Sequence, residues 1–549
     1  MPAQAWKPWY LWIGCALTLY LFFSLIYLHL PGLEYDELLF VNAALGNVDG
    51  TFVDWHPKVL GKRIPLMLMT YIGAPKAFLY APIFKLFGTS PTTARLPVVL
   101  VGLITLLVTY AFVQRLLGRY AAISTLLLLA SDPTFIFSNK LDWGPVALML
   151  LLQVSSLYVV CRWIDEGRPR WLLAGSFLLG LGLYNKVVFI WYVTALTLAL
   201  LLCFGARVRQ LMTLRRLLLA VGVFVLGCLP LIAFNIKVPM ATFQRRKAIN
   251  QDWSSSLKDR YRLFLTTLDG SAAYDVVNHA GVAERIDPAR IRQDGIPARF
   301  VNAMERLPRI RGTLIPFALI LAMLVIVVSR FLRRLEQKRE ILFLLLQFGT
   351  MAVLICVTQA ANGPHHTIAV YPFPHALIGF ALYQLSRLGN LKTAVRSVII
   401  LLGVSPLILT QLIVDARYVE SFVVGGGVGA WSDAIYELAA FAKQHPDKSY
   451  LLMDWGFSTQ LLLLSDGRLK KEEAFVPLMF LPAGEKITRM KQFLSAKGSV
   501  LVFHAPPFET FPALEAFKSA LALYGTESLP VRTFYQRDGR PIYIVYQVD

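Results

Sequence analysis

The sequence predicts a polytopic α-helical membrane protein of about eleven transmembrane helices, followed by a C-terminal α/β domain outside the membrane. Three observations carry that expectation. The 549 residues are 56% hydrophobic and 16% charged, against roughly 45–50% and about 25% in soluble domains. The apolar excess falls in separate runs of about 17–20 residues, the length a helix needs to cross about 30 Å of hydrocarbon. After about residue 446 the long runs stop and short strand-like and helix-like segments replace them.

The runs lie at 9–30, 96–114, 120–138, 145–162, 171–184, 187–204, 217–235, 313–330, 341–358, 367–385 and 396–414. The first is long and aromatic and no small-residue cleavage site follows it, so it reads as a retained span, not a signal peptide. The fifth is short. An odd number of spans puts the two termini on opposite sides. With the N-terminus inside, Arg115, Arg119, Arg162, Arg207, Arg215, Arg330, Lys338 and Arg387 fall on cytoplasmic turns. The short turns on the other side hold only Lys140, Asp142 and Lys186. That asymmetry obeys the positive-inside rule and accounts for much of the net charge of +20, so nucleic acid is not an expected partner. The reading implies a bacterial inner (plasma) membrane protein with a cytoplasmic N-terminus and a periplasmic C-terminal domain.

Three large segments then lie outside: 31–95, 236–312 and 415–549. Within the first, residues 71–88 are apolar but too short to span, are broken by proline and carry Lys76 and Lys85. They predict a helix lying in the interface. The division is a transmembrane module over 1–415 with outer loops 31–95 and 236–312, then an α/β domain over 416–549. In that domain 450–454 and 499–503 read as buried strands, 485–496 and 511–523 as helices, and 531–536 with 542–547 as a hairpin about Arg537-Asp538-Gly539-Arg540. The five cysteines fall in predicted spans, which excludes a disulfide framework and a cysteine metal site. There is no P-loop, GxGxxG, HExxH, GxSxG or CxxC, so nucleotide-driven chemistry has no motif behind it.

Chemistry-bearing residues gather on the outer side. Gly32-Leu33-Glu34-Tyr35-Asp36-Glu37 puts three carboxylates where the first span leaves the membrane. Asp36 and Glu37 suit a general base, because burial beside lipid and aromatic groups raises a carboxyl pKa toward working pH. Glu34 fits a helix-start acid. Asp142, in the turn before Pro145, reads either as a helix cap or as a third acid of the site. Lys186, at a break between two short spans, and Lys76 are cations for an anionic head group, or else snorkelling lysines. Arg245 and Arg246 offer a phosphate clamp. His365, His366 and Tyr371 open the tenth span as candidate substrate contacts. Adjacent histidines point apart on a helix, so no metal site is assigned. No cofactor is assigned, and a divalent cation is the one candidate.

An Asp-Glu pair after the first span, an interfacial helix ending in Phe87-Gly88, and Ala94-Arg95-Leu96-Pro97 together resemble the type C glycosyltransferases. The nearest of these are the protein O-mannosyltransferases and the lipid A aminoarabinose transferases. Leu117-Gly118-Arg119-Tyr120, Asp142, Asn185-Lys186 and the His365-to-Pro374 stretch agree, and the resemblance covers residues 1 to about 415. Lys76 departs from the family's pattern, being followed by Ala77-Phe78 and not two prolines. The resemblance implies a polyprenyl-phosphate sugar donor, an inverting displacement, and a protein, lipid or glycan acceptor at the bilayer surface. In that scheme Asp36 is the base, and Lys186, Lys76, Arg245 and Arg246 hold the lipid phosphate. The alternative is a polytopic transporter or lipid-linked glycan flippase, which calls for internal repeats and charges at mid-membrane.

Overall fold

A computed structural model describes residues 9–244, 253–278, 303, 306–335, 337–358, 361–387, 393–496, 498–524 and 530–548. Among these residues seven helices are long and apolar enough to cross a membrane: Pro91–Leu117, Val146–Glu166, Val187–Leu211, Leu214–Lys237, Lys338–Val357, Pro364–Ser386 and Val395–Gly425. The pair Arg119–Ala130 and Pro133–Leu141 makes an eighth, Trp9–Leu25 and Ile315–Phe331 are apolar helices of 17 residues each, and the 17-residue helix Pro169–Asn185 lies over the fifth run. These helices cover the eleven expected runs, and the chain is a multi-pass membrane protein. Helices are the form these runs take because every interior backbone group is then paired within its own segment, away from water.

The third run is not one straight helix. Its halves meet at 59°. Pro133 has no N–H to continue the first half, and the Asp132 carboxylate caps the second by accepting from the Phe135 N–H at 2.9 Å. Pro91–Leu117 starts with a reciprocal Ser90–Thr93 capping box and stops at Gly118, whose φ of +87° a side chain would strain. Pro169–Asn185 and Leu214–Lys237 approach closely at Gly180 and Gly227, where a Cβ would collide with the opposite backbone.

The loop between the first span and Pro91 is compact. It holds a 3₁₀ turn at Asp36–Leu38, a short helix at Val41–Ala44, two small antiparallel hairpins and the helix Pro75–Phe87. That 13-residue helix, expected at the interface, buries Lys76, Ala77, Tyr80 and Phe84 while Phe78, Leu79, Leu86 and Phe87 stay exposed. An outward apolar face on a helix too short to span suits the bilayer surface.

The C-terminal sheet runs in the order Lys471–Glu472, Ser449–Leu452, Ser499–His504, Pro541–Gln547, Arg532–Tyr535. The first three strands are parallel, and the last two form the expected hairpin. Alternation sends Tyr450, Leu452, Val500 and Val502 to the face covered by helix Ala434–Gln444. Leu451, Met453, Leu501 and Phe503 face the helices Ala483–Leu494 and Leu514–Tyr524. This unit is docked on the loop that follows the first span: Leu462 and Leu463 pack with Leu33, Leu38 and Phe40. Glu473 accepts hydrogen bonds from the Tyr35 and Thr51 hydroxyls, each at 2.6 Å.

Candidate functional site

The three carboxylates of the opening cluster have separate duties. Glu34 Oε2 accepts from the backbone N–H groups of Asp36 (2.7 Å) and Glu37 (3.0 Å), which holds the 3₁₀ turn. Burial pushes its carboxyl well above the usual carboxylate range. Glu37 forms a two-pronged pair with Arg95, at 2.7 and 2.9 Å, and Arg95 is fully buried. The same guanidinium donates to the carbonyls of Leu28, Pro31 and Gly32, so it ties the end of the first span to the start of the second. Both Glu37 oxygens are engaged, which makes it a fastener for the loop that carries Asp36. Removing one partner of a buried pair strands the other charge. Glu37→Ala is therefore expected to destabilise the protein by about 3–5 kcal/mol, read as a large fall in thermal midpoint in detergent.

Asp36 keeps capacity. Its Oδ2 accepts from the Trp143 indole N–H at 3.1 Å, and its Oδ1 has no hydrogen-bond partner among the described residues. Burial raises its carboxyl above the usual range, against the pull of the Trp143 hydrogen bond and the Lys186 charge. Trp143 also lies against the His365 ring, with centroids 4.4 Å apart. Trp143→Phe keeps the ring and removes the N–H. It is expected to raise the Asp36 pKa further, moving the acid limb of an activity profile to higher pH.

Asp142 serves as the helix cap read from the sequence and also makes a buried ion pair. It sits at φ +46°, its Oδ1 accepts from the Ala147 N–H at 2.8 Å as a cap on the following helix, and its Oδ2 pairs with Lys76 Nζ at 2.6 Å. Lys76 also donates to the carbonyls of Glu37 (3.2 Å) and Gly144 (3.1 Å), and its ammonium lies 4.6 Å from the centre of the Phe40 ring. Lys76 is thus fully employed in joining the interfacial helix to both acidic turns.

Lys186 is different. It is 1% exposed, and among the described residues its ammonium makes no hydrogen bond or ion pair. Asp36 and Asp142 attract it and Lys76 repels it, while burial lowers its pKa to about 8. Its backbone position is fixed. The helix stops at Asn185, Lys186 is extended and bridges to Ile72 of the first loop, and the Val187 N–H donates to the Tyr71 carbonyl at 3.0 Å. Gly144, at φ +80°, leaves the space before the ammonium open: a Cβ there would lie 3.7 Å from Lys186 Nζ.

Of the remaining candidates, His365 and His366 come to this cluster through Trp143, and each has a buried Nδ1 without a partner among the described residues. Tyr371, expected to face substrate, is buried, and its hydroxyl donates to Asp132 Oδ2 (3.3 Å) and to the Thr267 carbonyl (3.2 Å). His375 and Gln411 complete that knot around the Asp132 bend. Arg245 and Arg246 lie outside the described residues. Among the described residues no group of three or more His, Cys, Asp or Glu is placed to hold a metal ion. Sequence reasoning missed the roles of Arg95, Trp143 and Glu473. A charge directly abutting an apolar run was a usable signal for Arg95, since it is costly at the membrane edge without a partner.

Comparisons with known proteins bear on the fold. Residues 76–234, which include Lys76, Asp142 and Lys186, match the family model described as dolichyl-phosphate-mannose-protein mannosyltransferase. The fold is similar to the crystal structure of ArnT from Cupriavidus metallidurans bound to undecaprenyl phosphate, with 15% identity and a TM-score of 0.58 over 98% of each chain. Its apo form gives 16% identity and 0.56 over 97% of each chain. The archaeal oligosaccharyltransferase AglB from Archaeoglobus fulgidus, in complex with an inhibitory peptide and a dolichol-phosphate, gives 12% identity and 0.51, over 91% of this chain and 70% of that one. A search of the curated proteins gives no match. The resemblance to the type C glycosyltransferases therefore holds for the fold.

Proposed function

We propose that this protein is a membrane glycosyltransferase that moves a sugar from a polyprenyl-phosphate donor to an acceptor hydroxyl at the outer (periplasmic) surface of a bacterial inner membrane. The observation that carries the reading is the Lys186 ammonium, buried and without a hydrogen bond or ion pair among the described residues, next to a carboxylate with an open oxygen. A buried cation of this kind calls for an anion, and a phosphate beside Lys186 supplies one. Asp36 Oδ1 takes the proton of the acceptor hydroxyl as its oxygen bonds to the sugar's anomeric carbon. The bond from that carbon to the phosphate oxygen breaks, and the electron pair leaves with the lipid phosphate. The charge developing on that phosphate faces a fixed ammonium in a site of low dielectric, where it gains most. Lys76, Asp142, Glu37 and Arg95 hold the two turns in register, and Trp143 orients Asp36. The family match over 76–234 and the shared fold with ArnT and AglB support the donor class.

The test is transfer from labelled polyprenyl-phosphate sugars by purified protein in lipid, with candidate acceptors added. Label that never leaves the donor with any sugar or acceptor, while the folded protein binds polyprenyl phosphate, would sink the reading.

A further inference from the structure

A groove of about 1380 Å³ runs along the bundle at the end remote from Asp36. Three helices supply most of its walls: Trp9–Leu25, Arg119–Ala130 and Thr393–Gly425. The lining positions recur three or four apart, as Ile123 and Leu127 or Leu401, Val404 and Ile408 do, so each helix gives the groove one face. On the longest helix they extend from Ser397 to Leu412, about 22 Å at 1.5 Å per residue. That is about the depth of one leaflet with its head groups, half of about 40–45 Å. The walls are apolar, because Ser124 and Ser405 spend their hydroxyls on the Tyr120 and Leu401 carbonyls of their own helices, at 3.0 and 2.7 Å. Val398, Leu401 and Leu409 are exposed in the lining, so the groove is open toward the bilayer.

One end of the groove is polar. Gln114 and Arg119 stand there, on either side of the turn at Gly118, and about 28 Å of helix separates Gln114 from Arg95 at the candidate site. Arg119 is the one charged residue among the described lining residues. Its guanidinium carbon lies 5.0 Å from the centre of the Trp9 ring, and it makes no hydrogen bond or ion pair among the described residues. Asp165 and Glu166, on the adjoining helix Val146–Glu166, are taken by Arg115 and Arg162. The Gln114 amide has no partner among the described residues either. Two buried polar atoms of this end are also unmet among them: Trp9 Nε1 and the hydroxyl of Tyr110, one turn before Gln114 on the same helix. Tyr120 stacks on Tyr383 at 6.0 Å, and Arg387 donates to the Tyr383 hydroxyl at 2.9 Å, which adds positive charge behind the mouth. An apolar slot one leaflet deep, rimmed by Trp9 and Trp12 and closed by a cationic, donor-rich mouth, is complementary to a lipid with an anionic head.

We infer that this groove binds one anionic phospholipid, with its acyl chains along the apolar walls and its phosphodiester against Arg119 and Gln114. In the topology read from the sequence this is the cytoplasmic leaflet, whose surface is negative. A zwitterionic lipid brings the same phosphate together with an ammonium that Arg119 repels, so the groove discriminates between the two. The inference stands apart from the proposed function, since lipid preference is read without any sugar transfer.

The experiment strips the full-length protein of lipid in detergent, adds dioleoylphosphatidylglycerol or dioleoylphosphatidylcholine, and counts bound lipid by native mass spectrometry. Wild type is expected to hold one phosphatidylglycerol about tenfold more tightly than phosphatidylcholine, the worth of one charge-assisted hydrogen bond. Arg119→Gln is expected to lose that preference while binding phosphatidylcholine as before, and Arg119→Lys to regain part of it. Arg119 is exposed and unpaired among the described residues, so these variants keep the fold. Ser405→Trp, which fills the slot from an exposed position, is expected to weaken the binding of both lipids. Lys186→Gln should bind phosphatidylglycerol as wild type does. The thermal midpoint of wild type should rise more with phosphatidylglycerol than with phosphatidylcholine, and that difference should vanish in Arg119→Gln. Equal affinity of wild type for the two lipids overturns the inference, and so does an unchanged preference in Arg119→Gln. A preference lost in Lys186→Gln but kept in Arg119→Gln overturns it too, by placing the lipid phosphate at the donor's position. If Ser405→Trp leaves lipid binding as it was and turns a dimer into a monomer, a second copy of the chain covers the groove and the inference fails.

Discussion

Asp36→Asn is expected to leave the protein folded and to lower the rate of sugar transfer by about 10²–10⁴-fold, the range a positioned general base contributes. The amide still accepts the Trp143 N–H, and among the described residues Asp36 is a partner in no ion pair, so the substitution leaves the loop's fasteners in place. What it removes is the negative charge of the carboxylate that lies beside Lys186 and whose Oδ1 has no hydrogen-bond partner among the described residues. Asp142→Asn makes the contrast. It breaks the pair with Lys76 at 2.6 Å, so its loss should appear in stability as well as in rate. Thermal unfolding in detergent beside initial rates separates the two variants.

Lys186→Gln is expected to weaken donor binding and to slow transfer by about 10²–10³-fold, the effect of removing one fixed group that stabilises developing negative charge. The pH dependence follows from the same two residues. Lys186 titrates at about 8, below an ordinary lysine, so its ammonium is intact below that pH and is lost as pH rises through it. Donor affinity should therefore fall on the alkaline side. Asp36 is raised, so its carboxylate is lost at a higher pH than an exposed aspartate's as the solution is acidified. Activity should be bell-shaped. The alkaline limb should move toward an ordinary lysine's range if Lys186 is made better solvated, and the acid limb should move up in Trp143→Phe. The bound phosphate raises the lysine's pKa, so the alkaline limb of kcat should lie above that of kcat/KM.

Much of the fold was readable because membrane spans are set by length and hydropathy, which are local properties. The eleven runs and the interfacial helix at Pro75–Phe87 are of this kind. The bend at Asp132–Pro133 was present in the sequence as a cap and a proline, but the apolar run around it concealed the break. The site was legible as residue types on one side of the membrane: Asp36, Asp142, Lys186 and His365 do converge around Trp143 and Gly144. The division of labour was not legible. Glu37 and Arg95 are 58 residues apart, and no spacing rule joins them. Lys76 reads the same as Lys186 in one dimension, yet it is held by Asp142 and two carbonyls while the Lys186 ammonium has no such partner among the described residues. Tyr371 opens a helix end that the charge pattern reads as outer and so looked available, but the Asp132 bend brings an acceptor to its hydroxyl. The docking of the C-terminal unit through Glu473 and Leu463 depends on contacts across more than four hundred residues.

The most direct measurement is a single-turnover experiment with labelled polyprenyl-phosphate sugar bound to excess protein in nanodiscs, comparing wild type, Asp36→Asn and Lys186→Gln. The account predicts that Asp36→Asn retains the donor with wild-type affinity but passes its sugar to an acceptor about 10²–10⁴-fold more slowly, and that Lys186→Gln retains the donor more weakly. Transfer by Asp36→Asn at the wild-type rate, or donor binding indifferent to Lys186, would contradict it.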